Sequence, residues 1–167
     1  MLRKIFFTLA IMLLFVGTDA MAQSPTTSLS VSARVYKAIT VTKTRELEFG
    51  KLAVGLNGGS VTVSNNGSRS KSGDIALVSS TVNSAQISIE AEGDMPVSIS
   101  MQNVILLNDG ENHELELTLT ASQLIGEIIF LDETGLLTVN VGGTVAIPQG
   151  SPVGTYTGTV NFSVIYY

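Results

Sequence analysis

The sequence predicts an all-β chain folded as a single antiparallel β-sandwich, and three observations lead there. Apolar and polar residues alternate with period two along most of the chain, and helical periodicity is nearly absent. Clusters rich in Asn, Asp and Gly separate the alternating runs at short intervals. The composition is 44% hydrophobic and only 14% charged, with 16 glycines. That suits a pleated sheet with many turns and argues against disorder, which needs low hydrophobicity and high net charge.

The elements follow in order. Arg3 and Lys4, an apolar run from Ile5 to Val16, and Ala20-Met21-Ala22 have the three parts of a secretory signal over residues 1–22. A twelve-residue apolar stretch, interrupted only by Thr8, is too short to cross a bilayer, which needs about 20, so no membrane-spanning segment is expected after cleavage. The mature chain then begins at Gln23 with 7 basic and 13 acidic residues, a charge of −6. At about 145 residues it is one domain, able to bury roughly 68–70% of its unfolded surface. Residues 23–36 are read as an N-terminal extension or first strand, and residues 37–167 as the sandwich.

Leu29, Val31, Ala33 and Val35 share one parity, continued by Ile39 and Val41. Nothing upstream could pair with this run as a hairpin, and its apolar face costs about 1.5–3 kcal/mol per large side chain if left in water. Two readings stay open: a first strand paired within its own sandwich, or a strand donated to a neighbouring subunit. Further alternating runs cover Val61–Val63, Ala85–Ala91, Val97–Met101, Leu115–Leu119, Val139–Ile147 and Val160–Tyr166, and Ile75–Val78 reads as a shorter strand. Turns are expected at Asn57-Gly58-Gly59, Asn65-Asn66-Gly67, Glu92-Gly93-Asp94, Asn108-Asp109-Gly110 and Glu133-Thr134-Gly135. Around Ala121–Phe130 the pattern leaves a short helical turn open. Gly142-Gly143 suggests a bulge or a close backbone approach. For Gly50 and Gly143 a simple turn is the favoured expectation.

The C-terminal run carries the most specific signal. Val160, Phe162, Val164 and Tyr166 alternate, Tyr166 is the penultimate residue, and Gly154 is the fourteenth residue counted from Tyr167. These features resemble the ends of chaperone–usher pilin subunits. In those subunits the last strand is read by a periplasmic chaperone and flanks the groove that accepts a donor strand. An N-terminal alternating strand at Ser28–Thr42, then Leu47-Glu48-Phe49-Gly50-Lys51-Leu52, Gly59–Val63, Val141–Val145 and Gly154-Thr155-Tyr156-Thr157-Gly158 are similar to an uncharacterised family of exported bacterial domains of unknown function. That family resembles the spore-coat-protein-U type of pilin. The resemblance implies an immunoglobulin-like, pilin-like sandwich. It departs at one point: such pilins commonly carry a disulfide near the first strand, and this chain has no cysteine.

The residues for chemistry are sparse. Without cysteine there is no thiolate nucleophile, iron–sulfur cluster or thiolate zinc site, and His113 alone excludes a multi-histidine centre. His113 sits in a polar hairpin tip with no Gly-x-Ser-x-Gly elbow, so a serine triad is not expected. Asp109, Glu111 and Glu114 could attract a hard cation, although their spacing is not that of an EF-hand loop. Glu114 and Glu116 share one face of a strand and do not oppose each other as glycosidase carboxylates must. Gly55-Leu56-Asn57-Gly58-Gly59 lacks the lysine of a phosphate loop. Arg69 and Lys71 are too few for a nucleic-acid face. No catalytic residue, cofactor or metal is expected.

The functional expectation is therefore a non-enzymatic, exported structural subunit at the periplasm, cell surface or extracellular space. It would assemble by edge-strand addition with copies of itself or related subunits, aided by a periplasmic chaperone. Leu29, Val31, Ala33 and Val35 would anchor the donor. Gly154, Val160, Phe162, Val164 and Tyr166 would form part of the acceptor. The alternative is a self-complete secreted sandwich serving as an adhesion or ligand-binding module.

Overall fold

The computed structural model describes residues 25–167, and the expected signal at 1–22 lies outside them. The chain divides into two units at Arg34/Val35. The described part of the first, residues 25–34, forms no strand. Every strand among the described residues belongs to the second.

Ten strands and no helix are found among the described residues. They are β1 (Thr40–Arg45), β2 (Leu52–Val63), β3 (Arg69–Leu77), β4 (Ala85–Glu90) and β5 (Pro96–Met101), then β6 (Val104–Asn108), β7 (Glu114–Ala121), β8 (Ile128–Phe130), β9 (Leu136–Ile147) and β10 (Phe162–Tyr166). All pairings are antiparallel. Seven strands form one sheet, in which β9 pairs with β4, β2 and β7, while β1, β3 and β6 lie outside them. The second sheet has the order β10-β5-β8. The protein is an antiparallel β-sandwich.

Alternation explains which faces are buried. In β7 Leu115, Leu117 and Leu119 point inward, while Glu114, Glu116 and Thr118 stay exposed. With Val61, Ile89, Ile99 and Val139 they form the main core. A smaller cluster of Ala91, Val97 and Leu131, joined by Ile39, Leu137, Val164 and Tyr166, closes one end of the sandwich.

Several sequence expectations change. Asn57-Gly58-Gly59 is not a chain reversal but lies inside β2, where the β2–β3 register shifts between Val54 and Gly59. Gly58 has φ +66°, so the glycine serves an irregularity within a strand. Gly143 is not a turn either. It pairs with both Val63 and Leu119 in the middle of β9. A Cβ on its neighbour Gly142 would stand 2.3 Å from the Val63 carbonyl oxygen, so close approach requires this pair. Gly50, at φ +73°, fits the turn expected there. The Ala121–Phe130 stretch holds bends and β8, with no helical turn. Residues 25–39 carry no strand, so the alternating N-terminal run becomes extended ladder only from Thr40.

Candidate functional site: an apolar groove beside an unpaired strand edge

The sandwich is filled at one end and open at the other. Ile39, Leu137, Val164 and Tyr166 pack into the closed end. From there β1, β4, β5, β9 and β10 each run into a groove of about 1970 Å³, reached at Val41, Ile87, Met101, Val141 and Phe162. Its floor includes Leu115, Leu117, Leu119 and Ile147. One flank is formed by residues 46–56 and the other by residues 149–162. Pockets for small ligands span about 300–1,000 Å³, so this volume suits a polymer segment better than a metabolite.

The first of these flanks presents an unpaired strand edge. β9 pairs with β2 only over Gly59–Val63, which leaves the Leu52–Asn57 edge opposite β3 without a ladder partner among the described residues. β10 pairs with β5 alone, but only Phe162 of it lines the groove, and the rest of the strand runs toward the closed end. Unpaired edges are templates for another strand. The rim is apolar as well: Leu56 is 84% exposed and Val153 fully exposed.

The flanks are held by polar staples. The Arg69 guanidinium donates to the carbonyls of Phe49 (2.9 Å) and Val78 (2.9 Å), and more weakly to that of Lys51 (3.4 Å). The Lys51 amide donates to Ser80 Oγ at 2.7 Å. On the opposite side, Asn108 and Thr157 exchange both backbone hydrogen bonds, at 2.8 and 3.0 Å. The Tyr156 hydroxyl donates to the Pro152 carbonyl at 2.9 Å. Burial, with a smaller effect from the Asp109 charge, pushes the Tyr156 phenol above its ordinary value.

The anticipated assembly residues fall into three places. Gly154, Val160 and Phe162 line the groove. Val164 and Tyr166 do not; they pack at the closed end. Leu29, Val31 and Val35 stand 85–92% exposed, and Ala33 is exposed too. Gly158 sits against its own β6, where a Cβ would lie 2.8 Å from Leu107 Cδ2. Arg69 was invisible to the sequence reading, because a contact with carbonyls 9 to 20 residues away leaves no local pattern.

The hairpin tip joining β6 and β7 gathers Asp109, Glu111 and His113 within ligand distance of one another. His113 Nδ1 lies 2.7 Å from Asp109 Oδ2. Burial works to raise the Asp109 pKa, but hydrogen bonds from the Glu111 amide and from His113 outweigh it and hold the carboxyl below its usual value. These contacts account for the tip as a closed local network.

Residues 39–166 match the family model described as a domain of unknown function (DUF4402). The chain belongs to that family. The match covers the whole strand-bearing ladder and begins after the exposed Leu29–Val35 run. No curated protein matches the chain.

Proposed function

We propose that this DUF4402 chain is an exported structural subunit, non-enzymatic and pilin-like, that assembles by strand addition. In this reading residues 27–36 of one copy enter the groove of another. Leu29, Val31, Ala33 and Val35 anchor the strand, and Val160 and Phe162 receive it. The observation that carries the reading is the apolar groove with the unpaired Leu52–Asn57 edge of β2 along one flank. Main-chain bonds to that edge give affinity, and alternate side chains entering the groove set the register.

Addition between copies is favoured over insertion within one chain by the path of β1. Thr40 pairs with Glu90 beside the closed end, and Arg45 pairs with Gln86 beside the groove. The chain upstream of Thr40 therefore starts at the closed end. To enter its own groove it would have to reverse within Tyr36-Lys37-Ala38-Ile39, which contains no Gly, Pro, Asn or Asp. A donor root at one end and an acceptor at the other make a heterologous contact, which extends into a filament when it does not close a ring.

Deleting residues 23–35 tests this reading. The truncated chain is expected to remain a subunit with an open groove that forms no polymer by size-exclusion chromatography. The same assemblies from truncated and full-length mature protein would overturn strand addition. A stable monomer from the full-length mature chain alone would favour a self-complete binding module.

A further inference from the structure

The last strand grips the root of the N-terminal segment. The Tyr166 hydroxyl donates to the Lys37 carbonyl oxygen at 2.6 Å and accepts from the Glu92 amide at 2.8 Å. The Lys37 amide donates in turn to Glu92 Oε2 at 3.1 Å, and its Nζ pairs with Glu90. The Tyr36 and Tyr166 rings lie 6.0 Å apart, centroid to centroid. One phenol thus joins the end of β10, the β4–β5 turn and the backbone just before β1. Phe162, where β10 meets the groove, is four extended residues away, about 13 Å.

Building on the strand-addition reading, we infer that Tyr166 is a positioning residue for the donor. It fixes Lys37, from which the donor departs, so that the segment is presented to a second copy of this chain and not turned back. Holding the root in advance removes part of the ordering cost that docking would otherwise meet. It also restrains the very residues at which a reversal into the chain's own groove would have to be made. The Lys37–Glu90 pair is about half exposed on both sides, and such pairs contribute little, so the phenol carries the role.

The experiment separates donating from accepting in full mature chains. For accepting, Tyr166→Phe and wild type are offered a fluorescent peptide of residues 27–36. For donating, each chain's groove is first capped with that peptide. Its addition to an acceptor whose own donor is disabled by Val31→Asp is then timed. Tyr166→Phe keeps the ring and should take up peptide within about twofold of wild type. As a donor it should add about five- to tenfold more slowly, the weight of one hydrogen bond. Equal donation by both chains overturns the clamp. So does a parallel loss in both arms, which marks a merely structural role. If wild type takes up no peptide, the strand-addition reading fails, and the clamp fails with it.

Discussion

Arg69 holds a groove flank that has no ladder of its own. Residues 49–51 lie between the Glu48–Asn83 bridge and β2; the guanidinium satisfies the Phe49 carbonyl and adds a weaker bond to the Lys51 carbonyl, which already accepts from the Val78 amide. Removing it leaves the part-buried Phe49 carbonyl without its donor, while the Lys51 and Val78 carbonyls keep the Val78 amide and the Ser80 hydroxyl. Arg69→Ala should lower stability by about 2 kcal/mol in urea unfolding, and Arg69→Lys should recover little because an ammonium cannot span the same carbonyls. Gly142 is constrained by backbone instead: the Val63 carbonyl leaves no room for a methyl. Gly142→Ala should cost about 2 kcal/mol or more by the same measurement.

Two aspartates give an acid limit at the same scale. At Asp132 the Thr134 hydroxyl is the main cause of a lowered pKa, opposed by burial and helped by the Thr134 and Gly135 amides. Asp109 is lowered as well. A carboxyl with a folded pKa below its unfolded value of 3.8 stabilises the fold above that value, and the contribution is lost as pH falls through the folded pKa. The urea midpoint should therefore hold near neutrality and drop below about pH 4. Asp132→Asn should show a shallower drop.

At the scale of elements, strands β4, β5 and β7 were legible because each buries one face, and burial of one face imposes period two. β6 was not, since Val104–Leu107 is a continuous apolar run with no alternation to read. Asn57-Gly58-Gly59 looks like a hairpin turn but serves a register shift, and nothing local distinguishes the two. The groove was half legible. Gly154, Val160 and Phe162 fell on it, while Val164 and Tyr166 share their parity yet pack at the closed end, because β10 crosses from one region into the other. Parity fixes a face of the sheet, not a position along it. The donor belongs to this scale too. Val31→Asp should abolish assembly, while the unfolding free energy of the unassembled subunit stays within about 0.5 kcal/mol of unassembled wild type, as for any exposed substitution.

For the whole molecule, the sandwich is complete where Ile39 and Tyr166 seal it and incomplete where the groove opens. Without cysteine no disulfide can offset that gap, and under the proposed strand addition pairing between chains would offset it instead. Each large donor side chain buried would contribute about 1.5–3 kcal/mol. The absence of cysteine also makes engineered thiols unambiguous reporters. Chains carrying Phe162→Cys, mixed with chains carrying one cysteine at successive positions from 29 to 35, measure the central claim directly. Strand addition between copies requires disulfides joining different chains, formed more readily from the odd positions Leu29, Val31, Ala33 and Val35 than from the even ones. No cross-link between chains, or cross-linking without regard to parity, would contradict it.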